Sequence, residues 1–172
     1  MVGPVRITNI VATSLLGTVL DLKHIERKLP MTQYIPERFS GLLIRVLRPF
    51  KAHCMVYKNG KITVNGARSV RSAMFLTRRF ARMLHSIGYD FHLTNFKVVN
   101  MVGAFSFPRK LPLEEISTKL KILYCPEIFP GLTVKLSDCT AVLFHSGKVN
   151  FLGGKCNSDI QSGQLELEIL IG

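Results

Sequence analysis

The chain repeats itself at a nearly constant spacing, and this internal duplication constrains its fold more than any other feature. The segment RFSGLLIRV at 38–46 returns as IFPGLTVKL at 128–136, and VYKNGKITVNGAR at 56–68 returns as LFHSGKVNFLGGK at 143–155. The offsets are 90 and 87 positions, and TNIVAT at 8–13 returns as VNMVGA at 99–104 after 91. Two copies at a steady spacing indicate a tandem duplication and not a solenoid, which needs more repeats.

Each copy predicts the same order of elements, beginning with a strand and ending with a helix. In the first copy, alternating β-branched residues between turn signals predict strands over 5–12, 39–47, 53–57 and 61–64. Asn59-Gly60 predicts a tight hairpin, because both residues accept positive φ, and Gly66 is predicted to end the fourth strand.

Capping residues place the helices of the first copy. Asp21 begins a short helix that ends before Pro30. Ser69 caps a longer helix over 70–87, which Gly88 closes. The apolar stripe predicted for this helix is Val70, Ala73, Met74, Ala81, Leu84 and Ile87.

The second copy predicts a helix over 113–121 and strands over 95–102, 131–136, 140–144 and 148–152. Two interpretations stay open for the C-terminal segment 157–171. Internal symmetry favours a helix there, whereas Leu165 and Leu167 alternate as in a strand and Gly163 interrupts a helical pattern.

Two such halves predict an α+β fold. We expect a pseudo-twofold tandem repeat, with repeats at 1–92 and 93–172, that forms one long curved antiparallel β-sheet, a saddle with helices on the convex face. Strand alternation then leaves an open sheet face that mixes aromatic, apolar and basic residues. Its predicted members are Phe39, Gly41, Leu43, Arg45, Met55, Tyr57 and Thr63, and in the second copy Phe129, Gly131, Thr133, Lys135, Val142, Phe144 and Asn150.

The charge of the chain is strongly positive and unevenly distributed. The formal net charge is +12, and residues 1–96 carry 15 Lys and Arg against 4 Asp and Glu. Such a field favours polyanions, with nucleic acid the first candidate and an anionic membrane the second. The long helix carries Arg71, Arg78, Arg79 and Arg82, which form either a solvated face or a surface for an acidic partner.

The sequence lacks the patterns that are typical of metal-binding proteins, enzymes and membrane-spanning proteins. The four cysteines show no CxxC spacing, which favours reduced buried thiols over zinc or disulfides. The five histidines form no metal-binding or catalytic spacing, and no Gly-rich phosphate loop precedes a helix, so we predict no catalytic residues, no metal and no cofactor. No apolar run is long enough for a transmembrane helix, and the first residues are interpreted as a strand and not a signal peptide.

The repeated motifs resemble the core of the TATA-box-binding protein family over nearly the whole chain. They include NIV at 9–11, YKNGK at 57–61, NGAR at 65–68, DFHLTNFKVVNMVG at 90–103, FPGL at 129–132 and FHSGK at 144–148. The resemblance implies a nuclear, non-enzymatic transcription initiation factor that binds A/T-rich double-stranded DNA in the minor groove, bends it and nucleates a preinitiation complex.

The resemblance also implies roles for individual residues. Phe39 and Tyr57 fall on the first pair of DNA-intercalating positions, and Phe129 and Phe144 on the second. Positions at the floor of the groove fall on Asn9, Val11, Leu43, Met55, Thr63, Asn65, Asn100, Val102, Val142, Asn150 and Leu152. Phosphate contacts are expected from Arg38, Arg45, Lys61, Lys135 and Lys148.

Partner surfaces follow from the same resemblance. The loop with Glu127 and Ile128 is similar to the contact for transcription factor IIB, with Cys125 where the family has an acidic residue. Arg78, Arg79 and Arg82 resemble a surface for other factors, so transcription factor IIA and TBP-associated factors are expected partners. The uncovered apolar sheet face leads us to expect a homodimer in the absence of DNA.

Departures from the family's pattern support an alternative. Tyr57 replaces a phenylalanine, Thr63 and Asn150 replace floor valines, and Asn65 and Leu152 replace threonines near the centre. A floor of this kind predicts either a divergent TATA-binding factor or a related interaction module with weak TATA selectivity that acts mainly through protein partners.

Overall fold

A computed structural model describes residues 3–172, which form nine strands and four helices. The first seven elements are β1 (Arg6–Leu15), α1 (Leu22–Lys28), β2 (Thr32–Gln33), β3 (Leu42–Val46), β4 (Ala52–Val56), β5 (Lys61–Ala67) and α2 (Val70–His85). The other six are β6 (Thr94–Ser106), α3 (Leu113–Leu120), β7 (Gly131–Lys135), β8 (Thr140–Phe144), β9 (Lys148–Gly154) and α4 (Asn157–Ile171).

The strands form one sheet in the order β2-β3-β4-β5-β1-β6-β9-β8-β7. The described pairings are antiparallel, which confirms the predicted α+β class. Contacts divide the chain into a first unit, Asn9–Val99, and a second unit, Asn100–Gly172 with the described residues before Asn9. The repeat boundary between residues 92 and 93 stays a prediction.

The core of the first unit lies between the sheet and α2, which packs on β5. Alternate strand residues are buried on this side, among them Ile44, Cys54 and Val64. Phe80 and Leu84 of α2 are fully buried against them. Burial of a side chain of this size contributes about 1.5–3 kcal/mol, so the helices are held mainly by their apolar faces.

The core of the second unit is built in the same way, with α4 packed on β9 and β8. Phe105 and Phe151 stack with their ring centroids 5.7 Å apart. Leu167 of α4 is buried, and Gly163 lets this helix approach Cys139 closely, just before β8, because a Cβ on Gly163 would clash with Cys139 Sγ. The helical interpretation of the C-terminal segment is therefore correct, although Leu165 is exposed.

The predicted apolar stripe of α2 is partly wrong. Ala73, Ala81 and Leu84 are buried, but Val70 and Met74 are 43% and 36% exposed. The buried face instead consists of Ala73, Leu76, Thr77, Phe80, Ala81 and Leu84. Thr77 fits this face because its hydroxyl donates to the Ala73 carbonyl within the helix, at 2.9 Å.

Two predicted turn features also differ from the structure. Of Asn59 and Gly60, only Gly60 has positive φ, at 79°, and Tyr57 N donates to Lys61 O. This is a three-residue loop with glycine at the left-handed position and not a two-residue hairpin. Gly66 does not end β5; it lies inside that strand, with φ 109°, opposite a register shift in β1.

The predicted burial of all four thiols is half wrong. Cys54 and Cys139 are buried, whereas Cys125 and Cys156 are exposed. Burial raises the pKa of the Cys54 thiol, and burial with nearby carboxylates raises the pKa of Cys139 to about 11. Neither buried thiol is a nucleophile at neutral pH.

Candidate nucleic-acid interface

The open face of the first unit is arranged in rows that cross its strands. One row runs from Thr13 through Thr63 and Met55 to Leu43. The next row runs from Val11 through Asn65 and His53 to Arg45. The register therefore brings predicted floor residues from four strands onto one surface.

The second unit repeats this arrangement with other side chains. The row that corresponds to Thr13, Thr63, Met55 and Leu43 consists of Ala104, Asn150, Val142 and Thr133. Leu152, Thr140 and Lys135 form the row that corresponds to Asn65, His53 and Arg45. The predicted residues of each unit thus share a face, but Thr63 and Val142 are only 8% exposed and are mostly covered by their neighbours.

An exposed aromatic pair stands at the hairpin end of each open face. Phe39 and Tyr57 have ring centroids 5.8 Å apart at 68°, and Phe129 and Phe144 have centroids 6.2 Å apart at 67°. Phe39 is 42% exposed and Phe129 46%. The two edge-to-face pairs have nearly equal geometry, so each unit presents the same kind of partly exposed aromatic surface.

A glycine two residues after each phenylalanine allows this geometry. A Cβ on Gly41 would lie 2.6 Å from Phe39 Cε1, and one on Gly131 would lie 2.7 Å from Phe129 Cε1. The ring of each phenylalanine lies over the following strand, so the glycine is required for close packing. The repeated sequence F-x-G therefore explains the orientation of the rings.

Asn9 and Asn100 lie beside a β-bulge in their respective units. Gly66 N donates to Asn9 Oδ1 at 3.0 Å, and Gly153 N donates to Asn100 Oδ1 at 2.9 Å. Since the amide oxygen accepts a backbone hydrogen bond, the amide nitrogen remains the donor for a ligand. Donors suit the minor groove, where adenine N3 and thymine O2 are acceptors. Val11 and Val102 lie two residues further along the same strands and are half-buried.

The predicted phosphate-binding side chains are exposed, and Arg45 Nη2 donates to Gln33 Oε1 at 3.1 Å. They are Arg38, Arg45, Lys61, Lys135 and Lys148. All 23 Lys and Arg residues lie in the described part of the chain, yet the one ion pair within 4.0 Å there joins His85 and Asp90. The positive charge is therefore not neutralised by internal carboxylates and is available to a polyanion.

His53 is a residue of this face that the sequence analysis missed. It lies between Asn65 and Arg45 in the row described above. Burial and the charge of Arg45 lower the pKa of His53 below its ordinary value, so the imidazole is neutral at neutral pH. Its position in the alternation of β4, in phase with Met55 and Tyr57, was the signal that could have revealed it.

We expect Arg45→Gln to raise the pKa of His53, because it removes the nearby positive charge, but not to restore the ordinary value, because burial remains. An NMR pH titration of the imidazole carbons measures this pKa directly. Arg27→Gln, which removes a charge from α1 and not from β3, is the matched control. A pKa of His53 that is equal in the wild type and R45Q would contradict the assignment of Arg45 as a cause.

The predicted partner surfaces are accessible in both units. Ile128 is 84% exposed beside Glu127, in a turn where Phe129 N donates to Cys125 O. Arg78 and Arg82 are exposed on α2, whereas Arg79 is half-buried and donates to the Arg48 carbonyl. Arg78 and Arg82 are therefore available to a partner, whereas Arg79 is already engaged in a hydrogen bond within the chain.

Other kinds of site are not found in the described residues. No group of three or more His, Cys, Asp or Glu there could hold a metal ion. None of the helices in residues 3–172 has the length and apolar character needed to cross a membrane.

Comparisons with known proteins match most of this chain to one family. The family described as transcription factor TFIID, or TATA-binding protein, matches residues 4–87 and 95–166. A TATA-box-binding protein-like 1 of Entamoeba histolytica is 38% identical over 153 residues, which are 87% of this chain and 70% of that protein. The TATA-box-binding protein of Dictyostelium discoideum is 36% identical over 156 residues, covering 88% of this chain and 76% of the relative.

A solved structure has the same fold over its full length. The TBP of Methanococcus jannaschii superposes with a TM-score of 0.87 at 28% identity, and the match covers 98% of both chains. The TATA-box-binding protein of Saccharomyces cerevisiae is 35% identical, and this chain spans 65% of its length.

Proposed function

Because this chain belongs to the TATA-binding protein family of transcription factors, we propose that it binds the minor groove of promoter DNA, bends it and nucleates a preinitiation complex. The family consists of transcription factors and not of enzymes. The observation that carries the proposal for DNA is the pair of matched, exposed aromatic contacts, Phe39–Tyr57 and Phe129–Phe144, one on each open face.

Insertion of these rings between base pairs explains how bending would be driven, and the TATA-binding protein family is the established case of this mode. Unstacking a base step costs free energy. The kinked DNA then brings more of its minor groove against the open faces, and this added contact offsets the cost.

The residues around the aromatic pairs supply hydrogen bonds, apolar contacts and phosphate contacts to the DNA. The amide nitrogens of Asn9 and Asn100 donate to groove acceptors, which every A·T pair offers in either orientation. Val11 and Val102 supply apolar contacts that a guanine amino group would disturb. Arg38, Arg45, Lys61, Lys135 and Lys148 contact phosphates, which contributes affinity but no sequence information.

Partners are proposed on the same basis. The exposed turn with Glu127 and Ile128 suits transcription factor IIB, and the α2 surface with Arg78 and Arg82 suits transcription factor IIA or a TBP-associated factor with acidic residues. Without DNA, the apolar open faces favour a homodimer. These roles belong in the nucleus, where we place the protein.

The test is the affinity and the bend angle on a TATA duplex and on a scrambled duplex, at one stated salt concentration. We expect tight and strongly bent binding to the TATA duplex, read by anisotropy and by end-to-end fluorescence transfer. No binding to either duplex by a folded protein would overturn the proposal. Weak binding without selectivity would instead support an interaction module that acts through its partners.

A further inference from the structure

Some asparagine side chains on the open faces are hydrogen-bonded within the protein and others are not. The amide oxygens of Asn9 and Asn100 accept hydrogen bonds from bulge glycines. The side chains of Asn65 and Asn150 make no hydrogen bond within residues 3–172, although both are half-buried on the open face. Each of these two amides therefore presents an unused acceptor as well as a donor.

The two free amides do not occupy equivalent positions. Asn65 stands opposite Val11 and His53, and its counterpart in the second unit is Leu152. Asn150 stands opposite Ala104 and Val142, and its counterpart in the first unit is Thr63. Neither counterpart replaces the amide, because Leu152 has no polar atom and Thr63 is only 8% exposed.

Distance from the aromatic pair distinguishes the two amides. Lys61 lies beside Tyr57, and Asn65 follows it by four residues along β5. Lys148 begins β9 near Phe144, and Asn150 follows it by two. At roughly 3.4 Å per residue, the free amide lies about 14 Å from the aromatic end in the first unit and about 7 Å in the second.

The minor groove offers one chemical group that such an acceptor would recognise. A·T pairs present only acceptors there, whereas a G·C pair adds the guanine amino group, which is a donor. Against an apolar floor this donor would lose its water without gaining a partner, which lowers affinity on the order of ten- to a hundredfold. A free amide oxygen removes that penalty.

We propose that Asn65 and Asn150 are two guanine-accepting subsites, so that the DNA site of this chain admits G·C pairs at two positions that lie unequally far from the two aromatic pairs. The inference rests on the proposed minor-groove binding and states its sequence selectivity. His53, neutral and adjacent to Asn65 across β4 and β5, supplies a second acceptor in the first unit only.

A scan with 2,6-diaminopurine tests the proposal. This base pairs with thymine and adds to an A·T pair the minor-groove amino group that guanine carries. Duplexes based on one A·T-only site, with one such base at each position in turn, are compared with the unmodified duplex by anisotropy. We expect two tolerated positions, asymmetric about the centre of the site and with less than about a threefold loss, among positions that lose about tenfold or more.

Variants assign the tolerated positions to residues, each measured as a ratio to its own affinity for the unmodified duplex. Asn65→Leu, which copies the residue of the second unit, should remove tolerance at the position further from its aromatic pair. Asn150→Val should remove it at the nearer position of the other half. Leu152→Asn should create a third tolerated position, and this gain cannot arise from loss of folding.

The possible outcomes distinguish failure of the guanine-accepting subsites from failure of minor-groove binding itself. If the unmodified duplex is bound but the amino group is penalised at every position, or tolerated equally at all of them, the guanine-accepting subsites are wrong and minor-groove binding stands. The same conclusion follows if the variants leave the pattern unchanged. If a folded protein binds none of the duplexes, minor-groove binding itself is wrong, and the subsites with it.

Discussion

Phe129→Ala with Phe144→Ala is expected to abolish most of the bend in a TATA duplex while leaving the salt dependence of binding unchanged. Phe129 is 46% exposed, the ring centroids of the pair lie 6.2 Å apart, and we propose these two rings as the wedge that unstacks the DNA at that end. The lysines and arginines that release counterions remain, so the slope of log affinity against log salt should persist. Affinity should fall on the order of ten- to a hundredfold, as for the loss of base–aromatic contacts.

End-to-end fluorescence transfer measures the bend, and a salt titration of anisotropy measures the slope. Phe75→Ala is the matched control, because Phe75 is equally exposed, at 49%, but lies on α2 and not on an open face. The pair Phe39→Ala with Tyr57→Ala should behave like the first double variant at the opposite end. An undiminished bend in F129A/F144A would show that these rings do not wedge.

Gly147→Ala is expected to cost about 2–4 kcal/mol of unfolding free energy, the largest stability effect that we predict. Gly147 has φ 91°, and a Cβ there would lie 2.7 Å from the Phe107 carbonyl oxygen and still closer to that of Arg109. The left-handed conformation costs roughly 1–2 kcal/mol for a residue with a Cβ, and displacing backbone adds a similar amount.

Gly153→Ala separates these two causes. Gly153 has φ 89°, yet nothing lies within 4 Å of its Cβ position, so only the conformational term of about 1–2 kcal/mol applies. Urea unfolding of both variants gives the comparison, provided that the m-value is unchanged. Equal losses for the two variants would refute the steric contribution of the Phe107 and Arg109 carbonyls.

The duplication allowed much of the fold to be predicted, because each motif constrains its copy. The β9 hairpin and α4 follow from their first-copy counterparts, even though Leu165 and Leu167 favour a strand locally. Local alternation also placed Leu43, Met55 and Thr63 on one face, as the register confirms. Strand alternation predicts which residues share a face. It does not predict whether that face binds DNA.

Other features depended on contacts that sequence spacing does not encode. The bulges at Gly66 and Gly153 follow from a register shift between strands that are distant in the chain. The buried face of α2 was misplaced because Val70 and Met74 fit a 3–4 spacing equally well, and only packing on β5 selects Leu76 and Phe80. His53 was overlooked because a single histidine in a strand carries no motif.

The bulge beside each of Asn9 and Asn100 has a thermodynamic consequence for recognition. A free asparagine side chain samples several rotamers and both amide orientations, and ordering it when a ligand arrives costs conformational entropy. Here the hydrogen bonds from Gly66 N and Gly153 N restrict that motion during folding. If these two amides bind DNA as proposed, they are already ordered when it arrives, so the entropic cost of orienting them is met by the stability of the fold and does not weaken the complex.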